Sequence, residues 1–378
     1  MKANFAAIFA SIALIAISGV PAASRERGWT PAGTLIADVH AGNAFALSDG
    51  RVVSVGMRSY GDAWPATTQI WSPRTKTWSA THAKPALPRL RQGAALMLDD
   101  GRILVTGFCQ KDCGTGSNAE LYDPGTDTWS IPGRQMTHGR YFHSMIKLLD
   151  GRVLVLGGCT ADRCFAGTVD VEIFDPKTNK FTLAIAPMKN HRVCFTATLL
   201  ADGRVLVAGG YNPSGVLSEN ETYDPASDTW TVNAPMKHPH VVHAAVLLQD
   251  GRVLVAGGDC SPELPCAEAD LFDPLTGKWK SVGPMSAPRS NLAAIRLQDG
   301  KILLSGGLSY FGYLWQNLET CEAYDPAKHK FVPEEPMAAQ RANFSLAMLP
   351  NGKVLAVGGD EWPEGENKFP GTAELYTP

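Results

Sequence analysis

The chain has 378 residues, of which 44% are hydrophobic and 37 are glycine, and its formal net charge is −3. So small a charge supplies no field for nucleic acid or for an anionic membrane surface, and neither is expected as a partner. Length alone allows two or three domains, but the glycine-rich, apolar composition suits a turn-rich all-β globule.

In chain order, the first element is residues 1–23. Lys2 gives a positive start, Phe5 to Ile17 is apolar, and Val20-Pro-Ala-Ala-Ser24 offers small residues for cleavage after Ala22 or Ala23. This is the pattern of a secretory signal peptide, with an apolar core short for a membrane span. An uncleaved amino-terminal anchor is the other reading. A secreted or periplasmic location is expected, and residues 24–378 are then a single domain. Gly28-Trp29-Thr30 follows and reads as a lone strand.

From there the chain repeats. Asp250-Gly-Arg-Val-Leu-Val-Ala-Gly-Gly258 recurs seven times, with turn glycines at Gly50, Gly101, Gly151, Gly203, Gly251, Gly300 and Gly352. A period near fifty residues is the signature of a repeat architecture and overrides the length prior. Asp-Gly between two apolar runs predicts a hairpin with positive φ at the turn. A second anchor follows each hairpin: an aromatic pair seven residues apart around Asp-Pro, as in Tyr122 to Trp129 and Tyr223 to Trp230. Asp-Pro suits the first two positions of a type I turn. Each unit therefore holds strands a, b, c and d, with a and b joined at Asp-Gly and c and d at Asp-Pro. The seventh unit ends at Tyr376-Thr-Pro378 without a strand d, and the segment around Trp29 supplies it, closing a ring that would otherwise leave an open sheet edge.

Four-stranded units at this period, glycine pairs ending strand b, and Tyr-Asp-Pro followed by Trp resemble the kelch repeat from about Trp29 to Pro378. The resemblance implies an all-β, seven-bladed β-propeller of four-stranded kelch blades around a central channel, closed by the amino-terminal strand.

The Asp-Gly and Asp-Pro turns are near-identical copies, whereas the b–c and d–a connections vary, so function is expected on the b–c/d–a face. Three features collect there. Cysteines pair within single b–c loops: Cys109 with Cys113, Cys159 with Cys164, Cys260 with Cys266. In an oxidising compartment these read as disulfides, with metal binding the alternative. Cys194 and Cys321 stay unassigned. Arg140, Arg192, Arg289 and Arg341 occupy one position ahead of strand a, with His240 there in blade 5 and Arg89 or Arg91 in blade 2. This resembles the Pro-Arg position of kelch repeats, which implies guanidiniums at a ligand pocket; a ring of them would favour an anionic ligand, and pairing with neighbouring loops is the alternative. Finally Tyr60, Trp64, Tyr310, Phe311, Tyr313, Trp315 and Trp362 form an aromatic arc over blades 1, 6 and 7, suited to sugar stacking.

His143 and His243 share one position on strand a. Galactose oxidase, a copper enzyme on kelch blades, places a Tyr-His pair at the start of this strand; here the nearest match is Tyr141-Phe-His143, whose ends would share a face by strand alternation. The adjacent pair is absent. Asp360, Glu361 and Glu364 form an acidic cluster in the blade 7 loop, and no nucleophile elbow, metalloprotease motif or phosphate loop is present. The chain is therefore read as a secreted, monomeric binding module for carbohydrate or a protein partner, with no catalytic residue, metal or cofactor assigned. The alternative is a sugar enzyme, either a copper oxidase or a sialic-acid epimerase-like protein.

Overall fold

The computed structural model describes residues 27–36, 40–57, 68–86, 93–109, 115–160, 167–311, 314–359 and 371–378. Seven four-stranded antiparallel sheets stand around one axis. Blade 1 holds His40–Ala46, Val52–Met57, Thr68–Ser72 and Thr77–Ala80, and blade 2 Ala94–Met97, Ile103–Cys109, Thr115–Asp123 and Thr128–Ser130. Blade 3 holds Ser144–Lys147, Val153–Leu156, Val171–Asp175 and Lys180–Leu183; blade 4 holds Thr196–Leu199, Val205–Ala208, Asn220–Asp224 and Thr229–Val232. Blade 5 runs Ala244–Leu247, Val253–Ala256, Ala269–Asp273 and Lys278–Ser281, and blade 6 Ala293–Arg296, Ile302–Ser305, Cys321–Asp325 and Lys330–Glu334. Blade 7 takes Ser345–Met348, Val354–Val357 and Thr372–Thr377 from the end of the chain, and Gly28–Thr34 from its beginning.

The seam forms as the sequence suggests: Trp29 stands opposite Tyr376 and Thr30 opposite Leu375. Trp71 of blade 1 donates its indole N–H to the carbonyl of Ala32 at 2.9 Å, tying the added strand to the next blade. Strand b is apolar on both faces because each sheet packs between two others; Val153–Leu156, Val205–Ala208 and Val253–Ala256 are buried at every position. The core is thus a set of interblade layers. Leu154 and Leu156 of blade 3 pack on Phe195, Val205, Tyr223 and Trp230 of blade 4. Across the seam, Trp71 and Trp78 pack on Leu355, Val357 and Leu375. The aromatic pairs are direct cross-strand partners, with Tyr223 against Trp230 at 4.9 Å between ring centroids.

The a–b turn differs from a two-residue hairpin. Leu47 N–H bonds the Arg51 carbonyl and Gly50 N–H bonds that of Leu47. The loop therefore has three residues, and Gly50, at φ 85°, is its left-handed member. That is a type I turn closed by a glycine bulge. The carboxylate of Asp49 accepts the Arg51 N–H at 3.0 Å and Nε at 2.7 Å, which explains why Asp-Gly-Arg recurs as a unit.

Candidate functional site

The d–a connections and the ends of strand b meet between blades on one face, and a repeated clamp builds that junction. Arg192 donates from Nη1 to the carbonyls of Gly209 (2.7 Å) and Glu219 (3.0 Å) and from Nη2 to Glu221 Oε1 (2.9 Å). Glu221 also accepts the backbone N–H groups of Lys189 and Asn190. Arg140 with Glu172, Arg289 with Glu322 and Arg341 with Glu374 repeat the arrangement. All four arginines are buried, with guanidiniums turned into their own blades. This corrects the expectation that they ring a ligand at the channel mouth. Desolvation makes an unpaired cation untenable there, so each is matched with a carboxylate and two carbonyls. The anionic-sugar readings lose the residues on which they rested. The glutamates went unrecognised in the sequence, although each stands two residues before the strand-c aromatic, as in Glu172 with Phe174 and Glu374 with Tyr376. Arg89 and Arg91 lie outside the described residues.

Two residues after each of the clamp arginines, and after His240 in blade 5, the backbone turns left-handed. Phe142, Cys194, Val242, Asn291 and Asn343 have φ between 49° and 55°. They are linked in series from blade to blade. Cys194 N–H bonds the Phe142 carbonyl, Val242 that of Cys194, Asn291 that of Val242 and Asn343 that of Asn291, at 3.0–3.2 Å. This arc of partly exposed residues lines the mouth of the channel, where Cys194 now finds its place. Cys321 is buried on strand c of blade 6, and burial pushes its thiol up. The strand-b glycine pairs make the junction possible. Gly258 donates to the Arg289 carbonyl of the next blade, and a Cβ there would lie 2.3 Å from the Val241 carbonyl oxygen.

His143 and His243 occupy one position, as expected, but they are wedges between blades. His143 Nε2 lies 2.7 Å from Thr106 Oγ1 of blade 2, and His243 Nε2 lies 2.9 Å from Thr196 Oγ1 of blade 4. Phe195, Leu292 and Phe344 fill the same position elsewhere. Burial, with the charge of Arg140, drives His143 down to about 3, and His243 is also held well below the usual histidine range, chiefly by burial. Tyr141 and His143 do not act as alternate residues of one strand face, because the left-handed Phe142 between them breaks the alternation. Tyr141 packs instead with Cys159 and Val193. Among the described residues neither histidine belongs to a group of three His, Cys, Asp or Glu side chains placed to share an ion.

Above the arc stand the b–c hairpins. In blade 5, Asp259–Ser261 pairs with Leu264–Pro265 and the Cys260–Cys266 disulfide closes the loop, as expected. Cys113 and Cys164, with the Cys109 side chain, lie outside the described residues; Cys159 is buried. Burial, reinforced by the charge of Glu263 and opposed by a hydrogen bond from Ser290, pushes the Asp259 carboxyl up to about 6. In blade 6, Leu308–Phe311 pairs with Leu314–Asn317. The two hairpins pack side by side. Their tips present Leu264, Tyr310, Phe311 and Leu314 at 53%, 37%, 44% and 55% exposure. Tyr310 and Trp315 face each other across the second hairpin with centroids 5.1 Å apart. Of the aromatic arc, Tyr60, Trp64, Tyr313 and Trp362 lie outside the described residues, as does the acidic cluster at Asp360, Glu361 and Glu364. The opposite face carries a cleft of about 540 Å³ between blades 2 and 3, lined by turn residues including Asp99, Asp150, Arg152 and Lys177. Its charges pair locally, as in Arg152 with Asp150.

The profile of the KLHDC2/KLHL20/DRC7 Kelch-repeats domain matches residues 42–258, and the Kelch motif matches residues 240–286. Spermatocyte protein spe-26 of Caenorhabditis elegans is 26% identical over 170 residues, 43% of this chain and 28% of that protein. Kelch-like protein 26 of Danio rerio is 38% identical over 91 residues, 24% of this chain and 15% of that protein. The chain thus spans less than a third of the length of either relative. A fungal alcohol oxidase of the AA5 family, solved with copper, superposes with a TM-score of 0.75 at 18% identity, over 93% of this chain and 76% of that one; at that identity the likeness is one of fold. The profile match runs through more than half of the chain, over blades with the repeat's own turns and glycine pairs, and the chain therefore belongs to the kelch-repeat family.

Proposed function

We propose that this propeller is a binding module, exported and monomeric, that takes a protein partner on its b–c/d–a face through the paired hairpins of blades 5 and 6. One observation carries the reading: Leu264, Tyr310, Phe311 and Leu314 are exposed together on two adjacent hairpins, the first closed by a disulfide. Apolar and aromatic groups held on a rigid rim are the anchors from which interfaces draw most of their energy. The kelch-like names among its relatives agree with such a role. A saccharide is the second reading, favoured by the Tyr310–Trp315 pair, whose rings offer a stacking surface beside a phenol hydroxyl.

The test is affinity purification from the secretory fraction of the native host, with the parent and with Phe311→Ala/Leu314→Ala. The control is Leu275→Ser, because Leu275 is 93% exposed on a c–d turn of the opposite face. The hairpin variant should lose the partner, with about 1–3 kcal/mol lost per anchor, while the control retains it. Loss with Leu275→Ser and retention with the hairpin variant would place binding on the other face. A glycan array read with Trp315→Ala separates the saccharide reading.

A further inference from the structure

Blade 5 departs from the clamp in both of its charged members. His240 stands where blades 3, 4, 6 and 7 have arginine, and Asp270 where those blades have glutamate. Both side chains are shorter than the pair they replace. His240 still reaches the strand-b carbonyl: its Nδ1 lies 2.8 Å from the Gly257 oxygen, the bond that arginine Nη1 makes elsewhere. Nδ1 must therefore carry the proton, and Nε2 points the other way. There Nε2 is buried without a hydrogen-bond partner, 3.7 Å from Asp270 Oδ2, beyond hydrogen-bond reach. His238 approaches from the solvent side: its side chain is 35% exposed and its Nδ1 lies 3.3 Å from Asp270 Oδ1. The three ligand atoms all lie within 4.8 Å of one another.

We infer that His238, His240 and Asp270 form a binding site for a divalent transition metal of the zinc class. Zinc–nitrogen and zinc–oxygen bonds of ~2.0–2.2 Å set neighbouring ligand atoms of a tetrahedral site roughly 3.3 Å apart, so the observed separations close on an ion with small side-chain shifts. Two imidazoles and a carboxylate suit zinc or cobalt, and the open side at His238 leaves the fourth position to water. The outer contacts are those such a site needs. His240 donates its other ring N–H to a carbonyl, and Asp270 Oδ2 accepts the His238 backbone N–H at 2.9 Å. Cys260 and Cys266 also approach His240. Joined as a disulfide they offer no thiolate and serve as a wall. A metal here would sit beneath the loop that carries the disulfide.

The experiment is Co²⁺ absorption and Zn²⁺ equilibrium dialysis on the chelator-treated, non-reduced full chain. The key variant is His240→Arg/Asp270→Glu, which rebuilds the clamp of four other blades and should therefore fold. His238→Ala, at a partly exposed position, is a second variant independent of that repacking. The parent should bind one equivalent with tetrahedral cobalt bands. His238→Ala should bind at least tenfold more weakly, and the double variant should lose the bands. Equal uptake by parent and double variant would overturn the assignment, as would binding that appears only after reduction, which would move the ligands to Cys260 and Cys266.

Discussion

The indole of Trp29 lies 5.0 Å, centroid to centroid, from the phenol ring of Tyr376, across the seam between the amino-terminal strand and the last strand of the chain. It is the seventh copy of the aromatic pair that braces strands c and d in every other blade, assembled here from distant parts of one sequence. The seam should therefore carry global stability. Trp29→Ala should lower unfolding free energy by about 3 kcal/mol, the scale of a truncated aromatic at an interior contact. Deleting residues 28–34 should cost more, because it also exposes the edge of Thr372–Thr377. Thermal unfolding of both variants checks this, and an unchanged midpoint in the deletion would mean that the ring is not held by this strand.

The Arg192–Glu221 pair should behave as structure. Arg192→Met leaves a buried carboxylate and two carbonyls without their cation, and breaking such a pair typically costs about 3–5 kcal/mol. Glu221→Gln should cost less, since an amide oxygen can still accept the Lys189 and Asn190 N–H groups. Blade 1 uses that solution, with Gln69 accepting the Ile36 N–H at 2.8 Å. Chemical denaturation of the two variants gives the order directly. A milder loss for Arg192→Met than for Glu221→Gln would show that the arginine is dispensable to the junction.

The propeller was legible because each cue is local and repeated. Asp-Gly, Asp-Pro and the aromatic spacing fix the turns and the register of strands c and d, and counting them leaves one strand for Trp29 to supply. The arginines were misplaced because a residue's position in a repeat does not state which way its side chain turns. The deciding signal was the glutamate two residues before the strand-c aromatic in blades 3, 4, 6 and 7, and in blade 5 both positions change together, to His240 and Asp270. The left-handed arc left no such trace. Phe142, Cys194 and Val242 are not residues that advertise positive φ, and only the closing of seven blades on one another forces it.

Asp259 gives a pH dependence of definite sign. Burial raises its carboxyl above the ordinary value of 3.8 to about 6, so the native state holds the proton more tightly than the unfolded chain. Ionising it opposes folding. Its contribution should thus decline as pH rises from ~4 to ~6 and stay level above that. Asp259→Asn, which cannot ionise, should show no such decline. Denaturation midpoints of parent and variant across this range isolate the effect, because every other group cancels in the difference. A difference that stays constant with pH would mean that Asp259 is solvated in the native protein.

Val242 holds the most strained link of the channel arc. Its φ of 49° lies in the left-handed region, which a β-branched residue rarely enters. Left-handed backbone costs an L-residue roughly 1–2 kcal/mol, and asparagine tolerates it best after glycine. The equivalent residues in blades 6 and 7 are Asn291 and Asn343, with φ 53° and 51°. Val242 stays because its neighbours fix it: its N–H bonds the Cys194 carbonyl at 3.1 Å, and its own carbonyl accepts from Asn291 at 3.0 Å. Both are backbone bonds that a new side chain need not disturb, and Val242 is only partly buried. Val242→Asn should therefore raise stability by about 1 kcal/mol, and Asn343→Val should lower it by a similar amount. Matched thermal and urea unfolding would measure both. If Val242→Asn instead destabilises, contacts of the valine methyls outweigh the backbone strain, and the arc is held by packing rather than by its chain of interblade hydrogen bonds.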